Sequence, residues 1–95
     1  MVRIQATKDR VVVEGDLLNE TCGEFVRALK SLQMSGAVWA FVDLTSVTAA
    51  EAGPIGALLT TWLEMSKEGR ALFLRAPDYI WHMLGGAAVE QGFVR

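Results

Sequence analysis

The sequence holds few of the residues on which a disulfide scaffold or a histidine-based metal site depends. Its 95 residues include one cysteine, Cys22, and one histidine, His82. A lone cysteine forms no internal disulfide, which is typical of proteins that stay in a reducing compartment. A zinc site needs several ligands at set spacings, and the sequence contains neither a CxxC nor an HExxH pattern. We therefore expect a fold that depends on its hydrophobic core, with no metal and no cofactor.

Long apolar runs and clustered positive charge are also missing. The longest uninterrupted apolar run, residues 37–42, is far shorter than the ~20 residues that span a bilayer. The sequence does not start with a basic segment followed by an apolar one, as a secretory signal does. The nine Lys and Arg residues are scattered and the formal net charge is −2, so no basic stripe is available for nucleic acid. We expect a cytoplasmic protein that neither inserts into a membrane nor binds nucleic acid.

The amino-terminal part of the chain changes from strand to helix periodicity. Apolar residues alternate over positions 2–6, and three β-branched residues follow at 11–13. This pattern predicts an antiparallel hairpin that ends at Gly15. Apolar residues then recur at helical spacing over 22–32, with charged residues on the other face, which predicts the first helix.

The first helix has two candidate N-caps and a glycine at its end. The side-chain oxygen of Asn19 or of Thr21 can accept a hydrogen bond from a free N–H group at the start of the helix. Gly36 suits the left-handed conformation in which many helices end.

The remaining predicted elements are a strand at 38–42 that is covered on both faces and ends at Asp43, a helix over 54–69 with Pro54 first, a strand at 71–74, a short helix from Asp78 broken at Gly85-Gly86, and a short edge strand at Phe93-Val94.

The resulting order, β-β-α-β-α-β-α-β, predicts a single α/β domain over residues 1–95. Alternating strands and helices imply a mostly parallel sheet with helices packed against it, and we expect Trp39 and Trp62 in its core. Functional sites of such sheets lie at the carboxyl ends of the strands. The turn 15–20 and the loop 43–53 fall at such ends, so we expect the functional site on these two segments.

No group of residues indicates catalysis. The glycine-rich stretch 53–56 lacks the Lys-Ser/Thr end of a P-loop and the three-glycine spacing of a dinucleotide site. The acidic residues are spread along the chain, and no pair is recognisable as a general acid and base. We interpret the chain as non-enzymatic.

A pattern in the middle of the chain is more informative. It consists of Asp43-Leu44-Thr45-Ser46-Val47, then Glu51, then Ile55-Gly56-Ala57-Leu58-Leu59. This pattern resembles the central signature of STAS domains, the bacterial anti-sigma factor antagonist family. Val13-Glu14-Gly15-Asp16-Leu17 is similar to the family's turn after its second strand, and residues 69–74 are similar to its fourth strand. The resemblance covers essentially the whole chain and implies a single STAS-like domain with the element order given above.

The chain departs from this family at one important position. In the family's regulatory members, a partner kinase that is also the anti-sigma factor phosphorylates the second serine of Asp-Ser-Ser-Gly. Glu51-Ala52-Gly53-Pro54 aligns with that tetrapeptide, so the phosphoacceptor position is Gly53, which has no hydroxyl. A phosphoryl group brings about −1.5 to −2 charges to such a surface, and this chain cannot acquire them at Gly53. We interpret the neighbouring hydroxyls of Thr45, Ser46 and Thr48 as bonded to local backbone rather than as substitute acceptors.

The resemblance implies a signal-transduction module of transcription regulation that binds a protein partner. The first expected partner is a serine kinase-like anti-sigma factor or a related regulator. The alternative is the ATPase of a bacterial ABC-type lipid transporter, whose STAS subunit carries Asp-Thr-Gly-Gly at the equivalent place. The apolar composition also indicates some partner-facing surface, for which a homodimer is a further option. The expected partner-binding residues are Asp16, Leu17, Asn19, Asp43, Thr45, Ser46, Thr48, Ala50, Glu51, Ala52, Gly53 and Pro54.

Overall fold

Strands and helices alternate along the chain in the predicted order as far as the third helix. The structure, a computed structural model, describes residues 2–90. The predicted edge strand at Phe93-Val94 lies outside the described residues. The elements are β1 (Arg3–Ala6), β2 (Arg10–Leu17), a 3-10 turn (Asn19–Thr21), α1 (Cys22–Met34), β3 (Trp39–Ala50), α2 (Ala52–Lys67), β4 (Ala71–Arg75) and α3 (Asp78–Glu90).

The four described strands form one sheet in the order β1-β2-β3-β4. The strand β1 pairs antiparallel with β2, as the predicted hairpin requires. The pairs β2–β3 and β3–β4 are parallel, and α1 and α2 are the respective crossovers. The mostly parallel α/β sheet that the sequence predicts is therefore confirmed. Among residues 2–90, no helix combines the length and the apolar character that a membrane crossing requires.

The core that the described residues form lies on one face of the sheet. Alternate strand residues such as Val13, Val42 and Leu74 are buried there against the helices. Trp62 of α2 is 6% exposed, as predicted, but Trp39 is 66% exposed, so its prediction as a core residue is wrong. Both crossovers step in the same direction across the sheet, and right-handed crossovers of that kind put both helices on the same face. The predicted cover on both faces of β3 is wrong for this reason.

The second and third strands are longer than predicted. The strand β2 continues through Gly15 to Leu17, and β3 continues past Asp43 to Ala50. Two register shifts, between Val12 and Glu14 and between Gly15 and Asp16, give β3 two residues more than its partner over the same length. Such bulges keep a strand paired while they redirect its side chains. Residues 43–50 therefore form a strand rather than the predicted loop, and only Glu51 separates that strand from α2.

The helix boundaries agree more closely with the sequence. The segment after α1 contains Gly36 at φ +77°, a conformation that favours glycine, and α3 is interrupted at Gly85, where φ is +62°. Pro54 is the third residue of α2 rather than the first, because the helix begins at Ala52. Its missing N–H is still one of the first four that lack a partner within the helix.

Candidate functional site

Two hydrogen bonds through Asn19 join the end of β2 to the start of α2. The Asn19 backbone N–H donates to Glu51 Oε1 at 2.8 Å, and the Gly53 backbone N–H donates to Asn19 Oδ1 at 2.7 Å. We call these two bonds the Asn19 bridge. The first N–H groups of a helix lack partners within it, so Asn19 supplies a side-chain cap to α2 from a different segment of the chain.

The prediction that Asn19 or Thr21 caps α1 is therefore wrong. Thr21 occupies the N-cap position of α1, but its side chain makes no capping hydrogen bond and donates instead to the Leu18 carbonyl at 3.3 Å. Asn19 caps α2 because the parallel pairing of β2 with β3 places the ends of these strands side by side.

The Asn19 side chain occupies the space that a side chain at position 53 would need. A Cβ atom built on Gly53 lies 2.5 Å from Asn19 Oδ1, far inside the contact distance that real Cβ atoms keep. Any residue larger than glycine at this position therefore displaces the Asn19 amide and breaks its bond to the Gly53 N–H group. Glycine at the position where the resemblance puts the phosphoacceptor therefore preserves the Asn19 bridge.

Two further contacts strengthen the same junction. The Thr48 hydroxyl donates to Asp16 Oδ1 at 2.7 Å, and the Glu51 N–H donates to the Leu17 carbonyl at 3.0 Å. The hydroxyl of Thr48 thus bonds to a carboxylate 32 residues away in sequence rather than to local backbone. The turn after β2 and the end of β3, which the sequence predicts to lie together, are connected side by side.

Most of the predicted residues at this junction are exposed or half-buried, and two are buried. We define the carboxyl-end surface as Asp16, Asn19, Glu20, Thr48, Glu51 and Ala52, of which Asp16 is half-buried and the others are exposed. Ala50 is half-buried and Gly53 is exposed beside them. The side chains of Leu17 and Pro54 are buried, so they are not part of this exposed surface. The surface carries three carboxylates and no cation.

Three of the predicted residues lie elsewhere. Asp43 sits on the uncovered face of the sheet, in register with Val12 and Arg75, at a strand distance of roughly 20 Å from the end of β3. Thr45 donates to Asp43 Oδ1 from its hydroxyl at 2.6 Å and from its N–H at 3.0 Å. Ser46 is exposed opposite Glu14. These residues are not brought together with the carboxyl-end surface.

Asp43 is held in its charged form. Burial by itself raises the pKa of this carboxyl group, but the two hydrogen bonds from Thr45 and the nearby charges of Arg75 and Arg10 outweigh it. The pKa of Asp43 is therefore below its ordinary value of 3.8. The group stabilises the sheet locally and lacks the raised pKa that a general acid would need.

Tyr79 was not predicted from the sequence. Its hydroxyl donates to the Val47 carbonyl at 2.7 Å, which attaches the start of α3 to the carboxyl half of β3. Its position in the sequence could have indicated this residue, because residues 77–79 follow β4 at the same edge of the sheet as the two predicted segments. Across residues 2–90, no three His, Cys, Asp or Glu side chains are grouped closely enough to hold a metal ion.

Two solved structures with the same order of strands and helices are anti-sigma factor antagonists. An anti-sigma factor antagonist from Mycobacterium paratuberculosis superposes with a TM-score of 0.70 at 15% identity, covering 98% of this chain and 81% of that one. The unphosphorylated form of the anti-sigma factor antagonist SpoIIAA superposes with a TM-score of 0.65 at 13% identity, covering 90% of this chain and 84% of that one. No protein-family model matches the sequence, and no curated protein matches it. The chain therefore has the STAS fold, the fold of the anti-sigma factor antagonists.

Proposed function

We propose that this chain is a non-catalytic protein-interaction module of the bacterial cytoplasm that binds a kinase-like anti-sigma factor or a related regulator. The carboxyl-end surface is its docking site. The observation that carries the proposal is the Asn19 bridge, which fixes an exposed, acidic junction between β2 and α2. The fold shared with two anti-sigma factor antagonists supports the choice of partner.

Two features of this surface suit it to protein binding. Its segments are already ordered by hydrogen bonds, which reduces the entropy lost when a partner docks. Its carboxylates on Asp16, Glu20 and Glu51 attract and orient a basic partner surface, an effect that sets encounter rate and specificity more than affinity. The small side chain of Ala52 allows close approach of the partner at the start of α2.

The proposed binding is not switched by phosphorylation at position 53. Gly53 has no hydroxyl, and a side chain at this position would have to displace the adjacent Asn19 oxygen. A partner would therefore bind constitutively, or under control exerted on the partner itself.

The glycine at position 53 also supports a second candidate function, that of a STAS subunit docked on the ATPase of an ABC-type lipid transporter. A subunit of that kind needs no phosphoacceptor, so a glycine at position 53 is compatible with it. The two candidates differ in the protein that they retain, which affinity purification identifies directly.

The decisive experiment is affinity purification from the native host with the full chain as bait. Glu51→Lys reverses the central charge and breaks one bond of the Asn19 bridge, and we expect it to abolish retention of the partner. Asp9→Lys makes the same charge change in the exposed turn at the opposite end of β2 and serves as the matched control. Glu51→Gln keeps an oxygen for the Asn19 N–H, and so separates the loss of charge from the loss of the bridge.

The outcomes distinguish the candidates. Retention of a kinase or anti-sigma factor supports the first function, and retention of an ABC ATPase supports the second. A partner list unchanged by Glu51→Lys refutes the docking site, and retention of neither class of protein refutes both functions.

A further inference from the structure

Three cations lie together in one cleft, between the β1–β2 turn and α1. Lys8 comes from the turn, and Arg27 and Lys30 come from the exposed side of α1. The cleft has a volume of about 690 Å³ and is also lined by Ala6, Ser31 and Met34. We call it the basic cleft. The scatter of basic residues along the sequence hides this cluster, which forms only when the hairpin packs against the helix.

These cations lack the partners that usually accompany buried or clustered charge. Among the described residues, the ion pairs join Arg3 to Glu14 and Arg70 to Glu68, and neither involves the basic cleft. None of the described residues that line the cleft is acidic. Arg70 is already engaged, because it donates to backbone carbonyls at the end of α1. The three cations therefore remain available for an external anion.

The carboxyl-end surface and the basic cleft lie toward opposite ends of the long strands. The carboxyl-end surface is acidic, while the basic cleft lies toward the opposite end of the sheet, where β2 and β3 begin. The chain as a whole has a net charge of −2. A cluster of unpaired cations on an acidic protein attracts anions locally, and the separation of charge orients the whole molecule toward an anionic surface.

Exposed apolar side chains surround the same end of the molecule. Met34 is 84% exposed, Trp39 is 66% exposed and Val38 is 62% exposed. The helix α1 returns antiparallel to the strands, so its end and the start of β3 lie at the same end of the sheet as Lys8. A tryptophan ring combines an apolar body with an N–H donor, which is why this side chain is enriched at the level of lipid headgroups.

We propose that this end of the protein binds peripherally to an anionic membrane surface. Lys8, Arg27 and Lys30 contact lipid phosphates, and the side chains of Met34 and Trp39 rest at the headgroup level. The binding of such surfaces combines apolar burial with attraction to anionic lipid. No element crosses the bilayer in this arrangement.

The exposure of the apolar side chains favours a lipid surface over an acidic protein segment. An acidic segment would pair with the three cations, but its charged side chains would leave the apolar surface of Met34 and Trp39 uncovered. A membrane surface offers anionic phosphates and an apolar layer together. This inference goes beyond the proposed function, because it uses the end opposite the docking site and leaves that site facing away from the membrane.

The test is cosedimentation of the full chain with lipid vesicles. We expect binding to phosphatidylcholine vesicles that contain about 30% phosphatidylglycerol and little binding to pure phosphatidylcholine. Raising the salt concentration from about 0.1 M to about 1 M shortens the Debye length from about 10 Å to about 3 Å and should release most of the protein. Vesicle binding should also shift the tryptophan emission to shorter wavelength, and Trp39→Ser should remove most of that shift.

A matched pair of double variants locates the site. Lys8→Gln combined with Lys30→Gln should weaken binding about 25-fold, since each surface cation contributes roughly fivefold. Arg3→Gln combined with Arg75→Gln removes the same charge from residues outside the basic cleft and should change binding by less than about threefold. All four side chains are exposed, so the variants should fold, which circular dichroism checks.

Three results would overturn the proposal. The first is no preference for anionic over neutral vesicles, and the second is an equal loss of binding in both double variants. The third is binding to soluble glycerol phosphate or to a polyglutamate peptide without binding to vesicles, which would assign the basic cleft to a small anion or to an acidic protein segment instead.

Discussion

Replacement of Gly53 by alanine tests whether the Asn19 bridge holds the junction together. The added Cβ atom would lie 2.5 Å from Asn19 Oδ1, so the amide must rotate away and lose its bond to the Gly53 N–H group. The Asn19 oxygen is the end of a flexible side chain, so the cost is the lost cap rather than a backbone shift. Loss of an N-cap destabilises a protein by about 1 kcal/mol, in a range of ~0.5–2 kcal/mol.

Gly56→Ala is the matched control on the same helix. A Cβ atom at Gly56 meets no atom within 4 Å, so this change should raise the free energy of unfolding by about 0.5–1 kcal/mol through helix propensity and lower chain entropy. Gly53→Ala should gain a similar stabilisation from helix propensity and chain entropy, but it should lose the hydrogen bond between the residue 53 N–H group and Asn19 Oδ1. It should therefore be less stable than Gly56→Ala by about 1 kcal/mol, in a range of ~0.5–2 kcal/mol, and should fall near or below the stability of the original chain.

Urea denaturation followed by circular dichroism measures both values, and a double-mutant cycle isolates the contact. In an Asn19→Ala background the clash is absent, so Gly53→Ala should become stabilising there. If Gly53→Ala stabilises the original chain as much as Gly56→Ala does, the Asn19 oxygen does not restrict position 53, and the reasoning on the phosphoacceptor position is wrong.

Two further predictions concern single hydrogen-bonding groups. Because the pKa of folded Asp43 lies below its ordinary value of 3.8, the stability that this carboxylate contributes is present above that pH and is lost as the pH falls through the folded pKa. Asp43→Asn should therefore make the stability fall less steeply between about pH 5 and pH 2.5, as measured by the midpoints of urea denaturation. A pH dependence equal to that of the original chain would contradict the role of Thr45 and Arg75. Tyr79→Phe removes the donor to the Val47 carbonyl and should lower the free energy of unfolding by about 0.5–1.5 kcal/mol with the ring left in place. The same denaturation assay checks this value, and a stability equal to that of the original chain would show that α3 is not held through this hydroxyl.

The sequence predicts the order and type of the described elements because local patterns determine them. The hairpin, the helix stop at Gly36 and the break at Gly85 each follow from a few neighbouring residues. The exposure of Trp39 does not, because an apolar run identifies a strand without showing which faces the helices cover. That cover depends on the direction of both crossovers, which is a property of the whole sheet.

The candidate site shows the same limit. The sequence identifies both of its segments, because sites of open α/β sheets lie at strand ends. It assigns Asn19 to the wrong helix, because capping signals are read from neighbours along the chain, whereas the β2–β3 pairing brings Gly53 to this side chain. It also places Asp43 in the site, because two bulges that lengthen β3 leave no trace in the apolar pattern.

The contacts that build the carboxyl-end surface also determine when it can exist. The bonds Thr48–Asp16, Asn19–Glu51 and Gly53–Asn19 each close a loop of 32 to 34 residues. Contacts between such distant residues form late, since the entropy of loop closure must be overcome before they contribute. We therefore expect a nascent or partly folded chain to lack the proposed docking site, so that a partner that recognises this surface would select only molecules whose folding is complete.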